Sequence, residues 1–316
     1  FYFRRIMVKN VDMITVLGPT ATGKTRLAAL LADNTDGEII SADSRQVYRQ
    51  MDIGTGKDMD DYMVNGKRIP SHLIDIADPG TEYNVFGFQR DFLLAYADIR
   101  KRGRMPVLCG GTGLYLEAVL NGYRLQQVPE NHTLREKLKP LSDTRLAEIL
   151  KRYGVLHNTS DTTNRERTLR AIEIREFEKL HPVREEFPKI DSVNIGINFP
   201  RDIVRQRITQ RLKSRLENGM TEEVQRLLRG GLKPEQLIFY GLEYRYVTQC
   251  VTGKMSYDEM FSKLNTAIHQ FSKRQMTWFR RMEKRGIVIH WLDGRLGEEE
   301  KLSACLEIIR GASSGE

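Results

Sequence analysis

The feature that most constrains the fold is the pattern G-x-x-x-x-G-K-[ST] at residues 18–25. Residues 13–17 have the pattern of a buried strand, and residues 26–31 carry an apolar helical face. Glycines let the backbone approach an anion, and the N–H groups at a helix N-terminus favour negative charge. Lys24 adds a cation, and Thr25 offers a hydroxyl group suited to Mg²⁺. The pattern predicts a site for a phosphate chain with Mg²⁺, formed by Gly18, Pro19, Thr20, Ala21, Thr22, Gly23, Lys24 and Thr25.

Strand and helix patterns alternate over the residues that follow. Strands are predicted at 38–41, 73–76 and 105–109. One helix is predicted from Asn84 to Gly103, and another ends at Leu120. This alternation is typical of an α/β fold with a P-loop-type parallel sheet covered by helices. In such folds the ligand binds beyond the carboxyl ends of the strands.

At about residue 123 the pattern changes, because helix signals replace strand signals. Helices are predicted at 142–153 and 163–180, and a capping box of Thr163 with Glu166 opens the second one. We interpret residues 123–193 as a helical subdomain inserted into the core.

After this insertion the pattern of the core returns. Strands are predicted at 194–198 and 287–291, with a helix at 201–218. A last long helix begins after Ser256, and its stripe from Phe261 to Trp278, which includes Gln275, is interpreted as helix core. The predicted domains are a first part of the core, the insertion and the completion of the core, at residues 1–122, 123–193 and 194–316.

Charge and cysteine content exclude some classes of protein. The formal net charge is +8 at pH 7, which is compatible with a nucleic-acid partner without requiring one. Three cysteines without paired spacing support neither a disulfide framework nor a zinc finger. This cysteine usage predicts a reduced, cytoplasmic setting. Since no apolar run approaches the length of a membrane span, we expect no membrane partner.

Seven segments, in order along the chain, resemble those of the tRNA dimethylallyltransferase family. The first is the loop at 18–25. The others are Asp-Ser-Arg-Gln at 43–46 with Tyr48, Met-Asp-Ile-Gly-Thr at 51–55, His-Leu-Ile-Asp at 72–75, Gly-Gly-Thr-Gly-Leu-Tyr at 110–115, Arg-Thr-Leu-Arg-Ala-Ile-Glu at 167–173 and Ser-Lys-Arg-Gln-Met-Thr-Trp-Phe at 272–279. Single segments are modest signals, whereas the ordered set is specific.

The resemblance implies transfer of a dimethylallyl group from dimethylallyl diphosphate to N6 of the adenine next to a tRNA anticodon (A37). The loop would then hold the diphosphate with Mg²⁺, and Thr25 is the expected metal ligand. Asp43 is the candidate general base; the alternatives are that it binds Mg²⁺ or serves as an Asx-turn residue. Thr112 would position the amine or serve only as a helix N-cap. Arg207 and Arg211 would clamp the diphosphate opposite Lys24, or lie on a solvated helix face.

The expected partners are dimethylallyl diphosphate and a tRNA anticodon stem-loop, and the protein is expected to be a monomer. An adenine in a folded loop must leave its stack to enter a buried site. The resemblance implies that the residues contacting tRNA are Asp43, Ser44, Arg45, Gln46, Thr112, Arg135, Glu166, Arg167, Thr168, Leu169 and Arg170.

The chain departs from the family pattern at three places. Gly56-Lys57-Asp58 stands where Ala-Lys-Pro is usual, Leu242 stands where a lysine is usual, and the insertion is short around residues 157–159. Three alternative functions also stay open: prenyl transfer to a free adenine nucleotide, an ATP-binding small-molecule kinase, and a non-catalytic RNA-binding relative.

Overall fold

The computed structural model describes residues 10–154, 164–182 and 186–314. The chain folds into two compact units, one comprising Phe1–Gly122 with Lys189–Glu316 and the other Tyr123–Pro188. The strand that follows the second unit begins at Ser192. Residues 157–159, where the sequence departs from the family pattern, lie outside the described residues.

A six-stranded parallel sheet is the centre of the first unit. The strands along the chain are β1 (Met13–Leu17), β2 (Gly37–Ala42), β3 (Met63–Val64), β4 (Lys67–Arg68), β5 (Ser71–His72), β6 (Met105–Gly110), β7 (Ser192–Asn198) and β8 (His290–Asp293). The order in the sheet is β5-β2-β6-β1-β7-β8, while β3 and β4 form a separate antiparallel hairpin. The predicted α/β fold with a parallel sheet is confirmed.

Twelve α-helices occur in the described residues. They are α1 (Lys24–Asn34), α2 (Val85–Lys101), α3 (Gly113–Leu120), α4 (His132–Leu138), α5 (Asp143–Lys151), α6 (Arg165–Leu180), α7 (Arg201–Glu217), α8 (Met220–Arg229), α9 (Pro234–Leu237), α10 (Leu242–Val251), α11 (Tyr257–Lys284) and α12 (Glu298–Ser314). Helices α4 to α6 belong to the second unit and the others to the first. None of these helices is long and apolar enough to cross a membrane.

Two apolar clusters hold the first unit together. In one, strand residues such as Ile14 and Val16 pack with Leu31 of α1 and Leu306 of α12. The central strands are buried along their whole length, as expected for a parallel sheet covered by helices. The second cluster joins α7, α8, α10 and α11, and it also buries Met51 in the segment that follows β2.

Side chains cap three of the predicted helices at their expected starts. Asn84 accepts a hydrogen bond from the Gly87 N–H at 3.0 Å, and Ser256 accepts one from Glu259 at 3.3 Å. Ser142 caps α5 in the same way. The predicted start of α6 was wrong, because Asn164 is its N-cap and accepts from the Glu166 N–H at 2.8 Å. The expected cap, Thr163, lies outside the described residues.

Two strand predictions were also wrong in position. Strand β5 ends at His72, and the predicted strand at 73–76 is a turn in which Leu73 and Asp75 have φ values of 62° and 55°. This turn brings Asp75 to the ammonium group of buried Lys57. The last strand begins at His290 rather than at residue 287, because Ile287 still bonds to the end of α11 through Met282 O.

The second unit has its own small core, formed by leucine and isoleucine side chains of α4 to α6. Beside it lies Glu173, whose fully buried carboxylate accepts from Arg135 at 2.7 Å and from Arg170 at 3.1 Å. Burial opposes ionisation, but these hydrogen bonds and one from the Asn131 N–H outweigh it and lower the pKa of Glu173 to about 2.

A buried carboxylate of α8 orders the segment that follows β2. Glu223 accepts the N–H groups of Asp52, Ile53 and Gly54 at 2.8–3.0 Å. It also accepts the hydroxyl of Tyr244 at 2.6 Å. Since four donors converge on one side chain, the conformation of residues 52–54 depends on Glu223.

We expect Glu223→Ala to lower the free energy of unfolding by about 3 kcal/mol, because three N–H groups lose a charged acceptor in a buried place. Urea unfolding monitored by circular dichroism measures the change. The matched control is Glu222→Ala, whose side chain is exposed one position earlier on α8. Equal midpoints for the two variants would contradict this role of Glu223.

Candidate functional site

Three strand ends bring the candidate residues to one edge of the sheet. The loop at 18–25 follows β1, Asp43 follows β2 and Thr112 follows β6. The N–H of Thr112 donates to Ala42 O at 3.3 Å, which joins the last two segments directly. The candidate site is therefore where the strand order predicts it, beyond the carboxyl ends of the strands.

The loop wraps around its own carbonyl at Pro19. The hydroxyl of Thr22 and the ammonium of Lys24 donate to Pro19 O at 2.9 Å and 3.3 Å. Burial lowers the pKa of Lys24, and the nearby Arg211 adds to this effect. A loop that leads into the N-terminus of α1 and carries a partly desolvated cation is suited to bind an anion.

Asp43 has one carboxylate oxygen in a turn and the other without a hydrogen-bond partner among the described residues. Its Oδ1 accepts the N–H of Arg45 at 2.9 Å and that of Gln46 at 3.4 Å. This geometry is an Asx turn. The turn fixes the carboxylate at the strand end and leaves Oδ2 available to accept a proton.

Thr112 is the N-cap residue of α3, but its side chain does not cap the helix. Instead, its hydroxyl oxygen accepts the N–H of Ser44 at 3.1 Å. The hydroxyl therefore lies beside the segment that carries Asp43. The hypothesis that the Thr112 side chain serves only as a helix N-cap is therefore excluded.

Helix α7 brings to the loop the two arginines that the family resemblance assigns to diphosphate binding. The Nε of Arg207 donates to Ala21 O at 2.8 Å, and its guanidinium lies over the ring of Phe199. The Nη1 of Arg211 donates to the hydroxyl of Thr20 at 3.1 Å. Burial, with the neighbouring Arg215, lowers the pKa of Arg211 to about 10.

The sequence interpretation overlooked Arg215, which lies one further turn along α7. Only 12% of its side chain is exposed. Its Nη2 lies 3.5 Å from Asp58 Oδ2, and Arg211 Nη2 lies at the same distance from that oxygen. No signal in the sequence separated Arg215 from the other cations of this helix, whose charges suggest a solvated face.

Gln275 of α11 ties the loop to the turn after β6. Its Oε1 accepts the N–H of Thr20 at 2.9 Å, and its Nε2 donates to Gly111 O at 2.8 Å. A Cβ atom at position 111 would come within 2.6 Å of that Nε2, so any larger residue there would displace the Gln275 amide. The interpretation of residues 261–278 as a helix-core stripe is therefore partly wrong. Gln275 forms a polar bridge between Thr20 and Gly111, and Phe271 is 40% exposed.

Residues proposed to contact RNA have different surroundings in each unit. In the first unit Ser44, Arg45 and Gln46 are partly exposed, and Gln46 Nε2 donates to Gly56 O at 3.0 Å. In the second unit Glu166 and Arg167 are exposed. Arg135 and Arg170 donate hydrogen bonds to the carboxylate of Glu173. Thr168 and Leu169 are buried.

The described residues hold no cluster of three or more His, Cys, Asp or Glu side chains that could bind a metal ion. Thr25 lies in the first turn of α1, next to the loop. A metal at this place would therefore need oxygen ligands from a bound phosphate compound.

Two family models match the sequence. The model described as IPP transferase matches residues 46–282, and the one described as isopentenyl transferase matches residues 11–75. A tRNA dimethylallyltransferase 2 of Bacteroides fragilis is 59% identical over 93% of this chain and 96% of its own length. A tRNA dimethylallyltransferase 1 of Parabacteroides distasonis is 54% identical over 96% of this chain and 99% of its own length.

Solved structures resemble the fold of this chain over nearly its whole length. A full-length tRNA isopentenylpyrophosphate transferase from Bacillus halodurans is 29% identical, with a TM-score of 0.69 over 96% of this chain and 97% of its own. A eukaryotic dimethylallyltransferase acting on tRNA has a TM-score of 0.75 at 21% identity, over 95% of this chain and 79% of its own, and supports the fold alone.

We expect Gln275→Leu to lower the free energy of unfolding by about 2 kcal/mol, because the Thr20 N–H and Gly111 O lose their partner. Thermal and urea unfolding measure the change. Gln270→Leu, the same substitution at an exposed position of α11, is the control. A stability equal to that of the control would mean that the bridge contributes nothing.

Proposed function

The chain belongs to the tRNA dimethylallyltransferase family, and we propose that it transfers a dimethylallyl group from dimethylallyl diphosphate to N6 of adenine A37 in a tRNA. The observation that supports this reaction is the meeting of an anion-binding loop, a fixed carboxylate and a hydroxyl at one sheet edge. A cytoplasmic location and a monomeric state are part of the same proposal.

On the diphosphate side, the loop residues and two arginines of α7 would hold the leaving group. Backbone N–H groups of residues 18–25 and the ammonium of Lys24 supply positive potential. Arg207 and Arg211 already touch Ala21 and Thr20, so their guanidinium groups lie next to the place proposed for the diphosphate. As the C–O bond breaks, negative charge grows on the diphosphate oxygens, and these fixed cations stabilise it.

On the acceptor side, Asp43 would remove the proton of the attacking amine. The N6 lone pair of adenine is delocalised into the ring, so the amine is a poor nucleophile. It attacks the allylic carbon as the C–O bond breaks, the bonding electrons leave with the diphosphate, and a proton passes from N6 to Asp43 Oδ2. Thr112, whose hydroxyl lies beside Ser44, would orient the amine.

The residues around the loop fit a Mg²⁺ ion held mainly by phosphate oxygens. Mg²⁺ commonly keeps several waters and binds few protein oxygens together with substrate phosphates. Thr25 offers one such oxygen in the first turn of α1. The ion would neutralise charge on the diphosphate, while Lys24 and the arginines bind and orient it.

RNA contacts are proposed separately for each of the two units. Ser44, Arg45 and Gln46 follow the proposed base and would contact the extruded adenine together with Thr112. In the insertion proposed at 123–193, Glu166 and Arg167 offer exposed side chains. Arg135 of α4 and Arg170 of α6 would contact RNA phosphates with the N–H groups that do not bond to Glu173. Thr168 and Leu169, expected from sequence to contact tRNA, are buried and would instead support α6 from its buried side.

Labelled dimethylallyl diphosphate, Mg²⁺ and unmodified tRNA should give labelled tRNA, because the site combines diphosphate and base recognition. Thin-layer chromatography of digested nucleosides measures the product. Label on AMP but not on tRNA would favour the free-nucleotide alternative. Phosphoryl transfer from ATP without use of dimethylallyl diphosphate would indicate a kinase, and tRNA binding without transfer would indicate a non-catalytic relative.

Asp43→Asn should reduce single-turnover transfer by ~10²-fold or more, at the scale of a lost general base. Asn keeps an acceptor oxygen for the Arg45 and Gln46 N–H groups, so the turn is retained. Asp43→Ala should lose as much activity and also some stability. Near-normal transfer by Asp43→Asn would assign Asp43 to the turn alone.

A further inference from the structure

A single carboxylate lies between two guanidinium groups next to the proposed diphosphate site. Asp58 Oδ2 is 3.5 Å from Nη2 of Arg211 and 3.5 Å from Nη2 of Arg215. Arg211 in turn contacts the loop through Thr20. The arginines are one helical turn apart on α7, so their charges repel unless an anion lies between them.

The segment that carries Asp58 leaves room for Arg215. A Cβ atom at Gly56 would overlap the guanidinium groups of Arg215 and Arg211. Gly56 also has a φ of 73°, which a side chain would strain. The departure from Ala-Lys-Pro to Gly56-Lys57-Asp58 thus gives space for a further arginine and provides a counter-charge for it.

Arg215 lies at a cleft that opens beside the loop. Its lining includes Thr20 and Ala21 of the loop, Arg211 and Arg215 of α7, and Glu243. Burial raises the pKa of Glu243, and the nearby guanidinium of Arg215 opposes this effect. The cleft therefore combines two arginines with loop residues that belong to the proposed diphosphate site.

Asp58 holds the arginines only loosely. Its side chain is 54% exposed, and 3.5 Å is long for a charge-assisted hydrogen bond. A diphosphate carries more charge than a carboxylate and offers several oxygens, so it competes well for the same guanidinium groups.

We propose that Arg215 is an additional diphosphate-binding residue and that Asp58 is a positioning residue that competes with diphosphate for Arg211 and Arg215. The inference rests on the proposed function and extends it. In the absence of diphosphate, Asp58 neutralises and orients both guanidinium groups. After transfer, it favours release of the product by taking the arginines back.

The test is the affinity for inorganic pyrophosphate with Mg²⁺, measured by titration calorimetry. Arg215→Met should weaken binding roughly 10-fold, and Arg215→Lys should recover part of the loss. Asp58→Asn should tighten binding roughly 3-fold or more, because it removes the competing charge. This gain should shrink when Asp58→Asn is combined with Arg215→Met.

Matched controls separate a local contact from the loss of net charge. Lys213→Met removes a cation from the exposed side of α7, and Asp60→Asn removes an exposed acid near Asp58. Both should bind pyrophosphate within about twofold of the parent chain, since exposed surface charges are largely screened by water and salt. In the transfer assay, Arg215→Met should raise KM for dimethylallyl diphosphate more than it lowers kcat.

The outcomes distinguish this inference from the proposed function. If Arg215→Met binds pyrophosphate as tightly as the parent chain, and the parent chain catalyses prenyl transfer, the inference about Arg215 is overturned while the proposed function stands. Pyrophosphate binding without any prenyl transfer by the parent chain would overturn the proposed function. If Arg215→Met loses stability, Asp58→Asn decides, because tighter binding cannot result from poor folding, and unchanged or weaker binding would overturn the role of Asp58.

Discussion

The candidate site depends on the register in which β6 pairs with its two parallel neighbours. Cys109 of β6 is paired with Val16 on one side and with Ser41 on the other. The loop, Asp43 and Thr112 therefore leave the sheet side by side. A slip of one residue would move a strand end by about 3.3 Å, beyond hydrogen-bond reach, and would turn its side chains to the other face. The contact between Thr112 and Ser44 requires this register.

Several cationic side chains lie close together around that edge of the sheet. Burial lowers the pKa of Lys24, and burial with the nearby Arg215 lowers that of Arg211 to about 10. Both effects are costs of holding positive charges close together away from water. Binding of a multiply charged anion, as proposed for the diphosphate, would relieve those costs and would thereby couple the folding of the site to recognition of its ligand.

Two buried charged groups at the segment 51–58, the carboxylate of Glu223 and the ammonium of Lys57, each have several hydrogen-bond or ion-pair partners. Glu223 takes three backbone N–H groups and a tyrosine hydroxyl, and Lys57 donates to Tyr48 O and to the carboxylates of Asp52 and Asp75. An unmatched charge at either place would cost several kcal/mol. The same contacts set the path of the chain to Asp58, whose carboxylate lies 3.5 Å from the guanidinium groups of Arg211 and Arg215.

The sequence by itself determined what is encoded in neighbouring residues. Short patterns predict the loop at 18–25, the caps Asn84 and Ser256, and strand β1, because local hydrogen bonds and a continuous run of buried apolar residues leave a direct trace in sequence. The parallel sheet followed from the order of such patterns. The prediction of a strand at 73–76 was wrong because it rested on a local apolar pattern. The ion pair between Lys57 and Asp75 joins residues 18 positions apart and leaves no such pattern in the sequence. Only the tertiary structure decided that Gln275 bonds to Thr20 across 255 positions and that Arg215, alone among the unassigned cations of α7, meets Asp58. Contacts between distant segments depend on how helices cross the sheet, and no spacing in the sequence records that geometry.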